Sequence, residues 1–572
     1  MQLIDTFAPT HEQQAIIGAE LVSSCIIACA GSGKTTTAVR RVLQVNKEMQ
    51  ATYGNVLLLS FSNVAVDTFR TEYNALAKQT ALLNKARIET LDGFLANFII
   101  RPHGSRIMGC SRQPFWISGD EAFLTNFRVW ETTRPRDIAN LVIQVDDQGF
   151  KYIVRENNFD VSIEKYAANT AINKLGVIGA YTYELGRYWA INLLMQEPKL
   201  LSALSKRFPH IIVDEAQDIG VLHECLLRLL QQEGSTITLI GDPNQAIFEF
   251  ADADGKYLIE ESKKPANKAF QLSENRRSLA PIVSLANKLT SSKSQPVRQP
   301  SQRKHGIFYV KYDHKDITTA VEIFTSILDT AKYDLSEAAI LCRGTTMLNN
   351  LLGSSTNVGV GATALLAEAA VLRDQRGDIS EAFNRIVSAI INLLNKPDND
   401  LKAKLLANIS EITFKQLRRQ LWSFLRDSKQ GLPSANLKGT SQWFVALKTN
   451  VNNLLSQIEA TSRYSRISSW ANRLTKAKID DIPLYASDLA TTKNNSVLVE
   501  TVHKAKGKSI SAVMYLARTE DINNLLTGTL NEEGRIGYVA ITRAKDLLIL
   551  GVPNSAKKQV IESIEGLGFQ AW

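Results

Sequence analysis

Short apolar runs recur along the chain, and each is followed by polar residues. They lie at 56–60, 211–213, 237–240, 307–312, 338–342, 497–501, 512–517 and 547–552. Because their apolar character is continuous rather than alternating, they predict strands that are buried on both faces of parallel sheets. Helical patterns at 64–77 and 222–232 lie between some of these runs. The runs form two groups, up to about residue 275 and from about residue 305, which predicts two α/β cores.

Two stretches interrupt this rhythm and predict inserted domains. Residues 100–180 mix aromatic and polar positions, whereas residues 346–490 are mostly helical, with an apolar helical face from Ile379 to Leu394. Segments rich in Asn, Ser and Lys at 291–304 and 491–496 indicate linkers. We therefore expect an α/β fold in which a mostly helical insertion interrupts each core. The expected division is 1–99 with 181–275 for the first core, 100–180 for its insertion, 276–345 with 491–572 for the second core, and 346–490 for the second insertion.

Composition indicates the class of partner. The 572 residues carry a net charge of +9, and residues 396–481 hold 15 basic against 7 acidic side chains. Such a segment is typical of nucleic-acid binding, although a solvated helical face has the same composition. No apolar run approaches the about 18 residues of a membrane span, and the N-terminus lacks a signal-peptide pattern. The five cysteines, at 25, 29, 110, 225 and 342, are scattered, so we expect a reduced, cytoplasmic protein without disulfides, zinc, an iron–sulfur cluster or membrane contact.

The segment at 28–35, Ala-Cys-Ala-Gly-Ser-Gly-Lys-Thr, follows an apolar run and precedes a helical pattern. Its glycines allow backbone N–H groups to turn toward phosphates. Lys34 adds a positive charge, and Thr35 offers a hydroxyl to Mg²⁺. Short Gly/Ser/Lys strings also occur in ordinary turns. The segment thus indicates a nucleoside-triphosphate site without deciding what the nucleotide is used for.

Polar residues beyond other predicted strands extend this chemistry. Asp214 and Glu215 follow the run at 211–213, where the first can hold Mg²⁺ and the second can polarise an attacking water. Gln245 follows the run at 237–240 and can hydrogen-bond a terminal phosphate. Arg277 and Arg543, from the second core, can stabilise the charge of phosphoryl transfer. Taken singly, each of these also fits a surface turn or an ordinary basic helix position.

Together, and in this order, these segments resemble the motifs of the UvrD/Rep/PcrA branch of superfamily 1 helicases. The resemblance extends over nearly the whole chain. The segments that carry it are 9–13 for the Q motif, 28–35 for motif I, 58–63 for Ia, 90–94 for the Thr-Phe-His-Ser motif, 214–218 for II, 241–250 for III, 275–278 for IV, 338–343 for IVa, 501–507 for V and 532–545 for VI.

The resemblance implies two RecA-like P-loop domains, with ATP and Mg²⁺ in the cleft between them and single-stranded DNA across their top. It implies movement in the 3′→5′ direction. The implied hydrolytic residues are Lys34, Glu215, Gln245, Arg277 and Arg543, with Thr35 and Asp214 at the metal. The implied nucleotide cradle is Gln13, Ala28, Cys29, Ala30, Gly31, Ser32, Gly33, Lys34, Thr35, Thr36 and Arg276. The implied DNA contacts are Phe61, Asn63, Thr90, Phe250 and His503, and core packing is the alternative role for the two phenylalanines.

The chain departs from the family on the side of the nucleobase. Arg276 stands where the family has a Tyr, and Thr36 where it has an Arg, so the aromatic stack on adenine is lost. Hydrolysis of other nucleoside triphosphates becomes plausible. Asp92 replaces the usual His of its motif, and the family signature of the second insertion is missing from 346–490.

Three functions remain open from the sequence. The first is an ATP-dependent 3′→5′ helicase or translocase that acts on single-stranded or 3′-tailed DNA. The second is a regulatory, DNA-stimulated NTPase subunit that controls a partner nuclease of the OLD type, as in Gabija-type anti-phage defence. The third is a non-catalytic DNA-binding scaffold. The sequence does not decide between DNA repair and antiviral defence.

Overall fold

A computed structural model describes residues 8–49, 54–78, 86–147, 149–156, 159–248, 253–290, 292–351, 359–407, 412–484 and 497–572. Its first core is a six-stranded parallel sheet flanked by helices. The strands, in spatial order, are Lys268–Leu272, Ser24–Ala28, Thr236–Gly241, His210–Val213, Val56–Ser60 and Ala86–Thr90. The helices are His11–Ile17, Lys34–Glu48, Asn63–Ala77, Tyr183–Gln196, Pro198–Arg207, Val221–Gln232 and Lys256–Lys263.

The second core repeats this architecture with another six-stranded parallel sheet. Its strands, in spatial order, are Leu498–Thr501, Ala338–Cys342, Ile510–Leu516, Ala544–Pro553, Gly306–Tyr312 and Gln570–Ala571. Its helices are Ala280–Leu289, Thr319–Ala331, Thr345–Leu351, Val502–Ala505, Thr519–Leu526, Glu532–Ile541 and Lys558–Leu567. The expected α/β class with parallel sheets flanked by helices is confirmed.

Burial on both faces explains the continuous apolar runs. In the strand Val56–Ser60, Leu58 packs into one hydrophobic cluster, whereas Leu57 and Leu59 pack into another on the opposite face. The strand Ala338–Cys342 is divided in the same way, with Leu341 on one face and Ile340 on the other. Successive side chains of a strand point to opposite faces, so a strand covered on both sides needs apolar residues throughout.

The first insertion differs from the expected helical character. It holds an antiparallel hairpin, Arg128–Glu131 with Arg134–Asp137, and a three-stranded antiparallel sheet. The strands of that sheet are Leu141–Asp146, Gly149–Glu156 and Phe159–Ile163, followed by the helix Lys165–Val177. Buried and partly exposed positions alternate over the first four residues of Leu141–Asp146, as in a sheet with only one covered face. The prediction of a mostly helical insertion was wrong here, because this alternation lies among polar and aromatic residues and was not recognised as a strand pattern.

The second insertion is helical, as expected. Its helices include Gly361–Val371, Ile379–Ile391, Leu401–Leu406, Ile412–Arg426, Phe444–Thr461 and Trp470–Arg473. The predicted apolar face of Ile379–Ile391 is buried in one cluster that also contains Trp443, and Trp422 stacks on Phe383 with ring centroids 4.2 Å apart. The predicted linker at 491–496 lies outside the described residues. Within them, no helix is long and apolar enough to cross a membrane.

Candidate functional site

The glycine-rich segment at 28–35, the predicted phosphate loop, joins the strand Ser24–Ala28 to the helix Lys34–Glu48. Gly31 and Gly33 have positive φ angles of 74° and 82°, a region that glycine enters without steric cost. A Cβ atom at Gly31 would lie 2.5 Å from Cβ of Arg277, and the N–H of Arg276 donates to the Gly31 carbonyl at 3.0 Å. The segment that leads into the second core therefore closes directly over the loop.

Lys34 faces the predicted carboxylates, with its Nζ 3.4 Å from Oε2 of Glu215. Burial lowers the pKa of Lys34, but the charges of Glu215, Asp242 and Asp214 outweigh it and raise the pKa overall. Burial and the neighbouring Glu215 charge raise the pKa of Asp214. For Glu215, burial acts in the same direction, but Lys34 and Lys506 hold its pKa below the usual range. Glu215 is therefore ionised at neutral pH.

One oxygen in this cluster lacks a partner. Oδ1 of Asp214 is buried and accepts no hydrogen bond within the described residues. Magnesium prefers oxygen ligands of this kind, and Thr35 lies in the first turn of the adjacent helix. These residues fit the Mg²⁺ that the sequence indicates. Glu215 itself has a φ of +54°, unusual for a residue with a side chain, and such strain is common at functional sites.

The two cores meet at Gln245 and Arg543. Nη2 of Arg543 donates to Oε1 of Gln245 at 2.9 Å, and Nε2 of Gln245 donates to Oδ2 of Asp242 at 2.7 Å. Nε of Arg543 donates to the Val539 carbonyl at 3.0 Å. Burial and the charge of Arg277 lower the pKa of Arg543 to about 9.

Arg277 lies beside this pair, and its Nη1 donates to the Thr542 carbonyl at 3.0 Å. Burial lowers its pKa below the usual range. Neither Arg277 nor Arg543 forms an ion pair within the described ranges of the chain. Two guanidinium groups held by neutral oxygens next to a phosphate loop are suited to receive the charge of a phosphoryl group.

A second bridge between the cores is formed by Lys506 and Asp218. Nζ of Lys506 lies 2.8 Å and 2.5 Å from the two carboxylate oxygens of Asp218 and donates to the Gln245 carbonyl at 2.9 Å. The two side chains are only 9% and 3% exposed. Burial raises the pKa of Asp218 to about 6, against the lowering effect of Lys506. Asp218 lies in the segment 214–218 and Lys506 in 501–507, but neither residue was among the predicted site residues.

Gln13, which is expected to contact the nucleobase, already forms two hydrogen bonds within the protein. Its Oε1 accepts from the Thr10 N–H at 3.1 Å, and its Nε2 donates to the Ser32 carbonyl at 3.2 Å. One N–H and one lone pair of the amide remain for a ligand. Arg276 is exposed, and its Nη1 lies 3.4 Å from the Ala8 carbonyl. Gln13 and Arg276 thus both lie next to the N-terminal segment that precedes the helix His11–Ile17.

A separate cleft of about 570 Å³ lies where the first core meets its insertion. Phe61, Asn63 and Thr90, three of the expected DNA contacts, line it together. His503 does not line this cleft, and its Nε2 lies 3.1 Å from the Ile247 carbonyl oxygen. Phe250 lies outside the described residues.

The sequence did not predict the charged cluster in this cleft. Arg187 donates to both carboxylate oxygens of Asp92, at 2.9 Å and 2.8 Å, and Nε2 of His223 lies 3.1 Å from Oδ1. Burial raises the pKa of Asp92, but Arg187 and His223 hold it well below the usual range. The rings of Phe61 and His223 pack nearly perpendicular to each other, with centroids 5.8 Å apart. The cluster therefore fixes one wall of the cleft.

We expect Asp92→Asn to lower the free energy of unfolding by roughly 1–3 kcal/mol, because Arg187 would lose its charged acceptor. The pKa of Asp92 is lower in the folded protein than in the unfolded chain. Its contribution is therefore fully present above pH about 4 and is lost as the pH falls. Urea unfolding of both proteins between pH about 7 and about 3 measures this. The exposed Asp67→Asn is the control, and a pH-independent effect of Asp92→Asn would be inconsistent with this explanation.

Comparison with known proteins shows the family to which this chain belongs. The model of the UvrD/REP helicase N-terminal domain matches residues 10–177 and 180–266. The model of the UvrD-like helicase C-terminal domain matches residues 374–555. The chain belongs to the UvrD-like helicase family. Asp214 and Arg543 lie within the matched regions, whereas Arg277 lies outside them.

Three relatives illustrate the similarity. A probable DNA helicase II homologue of Mycoplasma genitalium is 22% identical, over 91% of this UvrD-like chain and 81% of its own length. The ATP-dependent DNA helicase PcrA of Leuconostoc citreum is 21% identical, with coverage of 92% and 79%. The ATP-dependent DNA helicase Rep of Buchnera aphidicola is 22% identical, with coverage of 91% and 89%.

Proposed function

We propose that this UvrD-like chain is an ATP-dependent DNA motor that moves 3′→5′ along a single strand and separates duplex ahead of it. The observation that carries the proposal is the contact between Gln245 and Arg543, by which residues of both cores complete one site over the phosphate loop. Family membership and the relatives named ATP-dependent DNA helicases support the choice of ATP and DNA. The domain division given by the sequence is part of this proposal.

In this proposal, Lys34 and the loop N–H groups bind the phosphates of ATP. Thr35 and Asp214 hold Mg²⁺, which when bound neutralises phosphate charge. Glu215 is ionised, so it can orient a water molecule and accept its proton. Arg277 and Arg543 stabilise the charge that develops on the transferred phosphoryl group.

Movement follows from the position of the two arginines. Arg277 lies in the segment that leads into the second core, and Arg543 lies just before the strand Ala544–Pro553 of that core. Lys34 and Glu215 belong to the first core. A bound triphosphate attracts the basic residues of both cores and therefore favours closure of the cleft between the two cores. Loss of the terminal phosphate removes much of that attraction. Gln245 touches the Arg543 guanidinium directly and passes the change to the strand tip of the first core.

DNA is proposed to occupy the cleft lined by Phe61, Asn63 and Thr90. Aromatic rings stack on any base, at about 1–3 kcal/mol each, which suits a motor indifferent to sequence. His503 lies apart from this cleft, in the second core. We propose that it contacts a neighbouring part of the same strand.

Relaxed base selection is the finer part of the proposal. An exposed guanidinium at Arg276 offers hydrogen-bond donors and no aromatic ring. We expect the wild type to hydrolyse GTP and CTP at rates within about tenfold of ATP, and Arg276→Tyr to shift the preference toward ATP by about 2–10-fold. Initial rates with each nucleotide measure this, and Arg276→Ala separates loss of the guanidinium from gain of the ring. Strong selectivity of the wild type for ATP would refute the inference that its nucleotide site selects the base less strictly.

Duplexes with a 3′ or a 5′ single-stranded tail test the direction. The motor proposal predicts ATP-dependent separation of the 3′-tailed duplex only, and no separation by Glu215→Gln. Separation of the 5′-tailed duplex alone would reverse the assigned direction. DNA-stimulated hydrolysis without separation of either duplex would instead favour a regulatory NTPase subunit that controls a partner nuclease.

A further inference from the structure

Two buried hydrogen-bonding groups without partners lie at the cleft between the first core and its insertion. Oη of Tyr181 and Nε1 of Trp116 make no hydrogen bond within the described residues. Both residues line the cleft, and Tyr181 is only 3% exposed. Buried polar groups are nearly always satisfied, and an orphaned one costs about 1–3 kcal/mol. Their occurrence side by side at one cleft therefore needs an explanation.

The local backbone structure places Tyr181 and Trp116 side by side. The short strands Phe115–Trp116 and Ala180–Tyr181 are parallel, with Trp116 opposite Tyr181, so the two side chains project from the same face. A Cβ atom at Gly186 would lie 2.9 Å from the Tyr181 ring. Glycine within a helix costs roughly 0.5–1 kcal/mol relative to Ala, and here it makes room for that ring.

The surroundings are rich in donors. Trp116 Nε1 only donates, and the exposed guanidinium of Arg101, on the same wall, donates to Oδ1 of Asn97 at 3.2 Å. Burial raises the pKa of Tyr181 to about 12, against the lowering effect of the charge and the N–H groups of Arg101, which can donate to Oη but cannot accept its proton. The hydroxyl therefore keeps its proton at neutral pH. A ligand that satisfies this wall must supply acceptor oxygens.

We propose that Tyr181 and Trp116 form a subsite that donates hydrogen bonds to an acceptor oxygen of the bound single strand. This inference rests on the proposed function, because it takes the strand to occupy the cleft. The exposed Tyr183 ring lies 5.0 Å from the Trp116 ring, and in this proposal Tyr183 and the exposed Arg101 side chain give way to the strand. The acceptor is either a phosphodiester oxygen or a base carbonyl, and both provide the required chemistry.

Tyr181→Phe tests this directly, since it removes only the unpartnered hydroxyl. We expect the affinity for a fluorescent oligothymidylate to fall by about 3–10-fold while thermal stability is unchanged or increased. Trp116→Phe should weaken binding to a similar extent. The control is Tyr152→Phe, in the same insertion, whose hydroxyl donates to Asn169 at 2.8 Å. It should cost stability and leave DNA affinity unchanged.

An abasic oligonucleotide of the same length distinguishes the two acceptors. Equal losses on both oligonucleotides assign a phosphodiester oxygen, and a loss on oligothymidylate alone assigns a base carbonyl. Tyr181→Phe affinity within about twofold of the wild type on both would overturn the subsite and leave the proposed function standing. A wild-type protein that binds neither oligonucleotide would contradict the proposed function and the subsite together.

Discussion

Arg543→Ala is expected to reduce DNA-stimulated ATP hydrolysis by about 10³-fold or more, the range measured for arginines that complete a phosphoryl-transfer site. Affinity for ATP should fall much less, because the loop and Lys34 lie in the other core. The physical reason is that Arg543 is a buried guanidinium in contact with Gln245 and held by a neutral carbonyl. Phosphate release at saturating ATP measures hydrolysis, and a fluorescent nucleotide analogue measures binding.

Two further variants make this result specific. Arg543→Lys keeps the positive charge but loses the planar guanidinium with its paired N–H donors. ATP hydrolysis by this variant should therefore remain strongly reduced. Arg518→Ala removes an exposed arginine of the same core that pairs with Asp521, and it should hydrolyse ATP normally. A rate for Arg543→Ala within about threefold of the wild type, in a folded protein, would remove the second core from the catalytic site.

Lys34→Ala is expected to reduce hydrolysis by about 10²–10³-fold, the cost of removing one preorganised electrostatic group. Single-stranded DNA binding should persist, because Lys34 is absent from the residues that line the cleft. The substitution also leaves Asp214 and Glu215 without their nearest cation. Since Lys34 lowers the pKa of Glu215, that pKa should rise in the variant, and residual activity should move to higher pH.

A matched control for Lys34→Ala is Lys47→Ala, at the exposed end of the same helix. It should change neither hydrolysis nor DNA binding. Steady-state rates across pH and anisotropy with labelled oligonucleotide provide both readouts. Simultaneous loss of hydrolysis and DNA binding in folded Lys34→Ala would argue against separate nucleotide and DNA sites.

The sequence predicted the central strands because burial on both faces leaves a continuous apolar run. It missed Ala86–Thr90 and Lys268–Leu272, which lie at the two edges of the first sheet. Both contain exposed or partly exposed positions, so neither has such a run. The strands of the first insertion were missed for a related reason, since only one of their faces is covered.

The candidate site was predictable where its residues sit at strand ends in a recognisable order. Contacts between distant residues were not. Asp92 and Arg187 are 95 residues apart, and the sequence around each of them does not predict their contact. Lys506 and Asp218 are 288 residues apart. The engagement of Gln13 with Thr10 and Ser32 likewise depends on how the chain packs, and a motif cannot supply it.

The proposed DNA motor is tested most directly by the rate of ATP hydrolysis with and without single-stranded DNA, in the wild type and in Glu215→Gln. We expect DNA to stimulate hydrolysis by the wild type at least about tenfold, within the usual range of coupling between two sites. We also expect near-complete loss of both rates in Glu215→Gln, with nucleotide and DNA binding retained. Wild-type hydrolysis that is indifferent to DNA, or full activity in Glu215→Gln, would contradict a DNA motor built on this site.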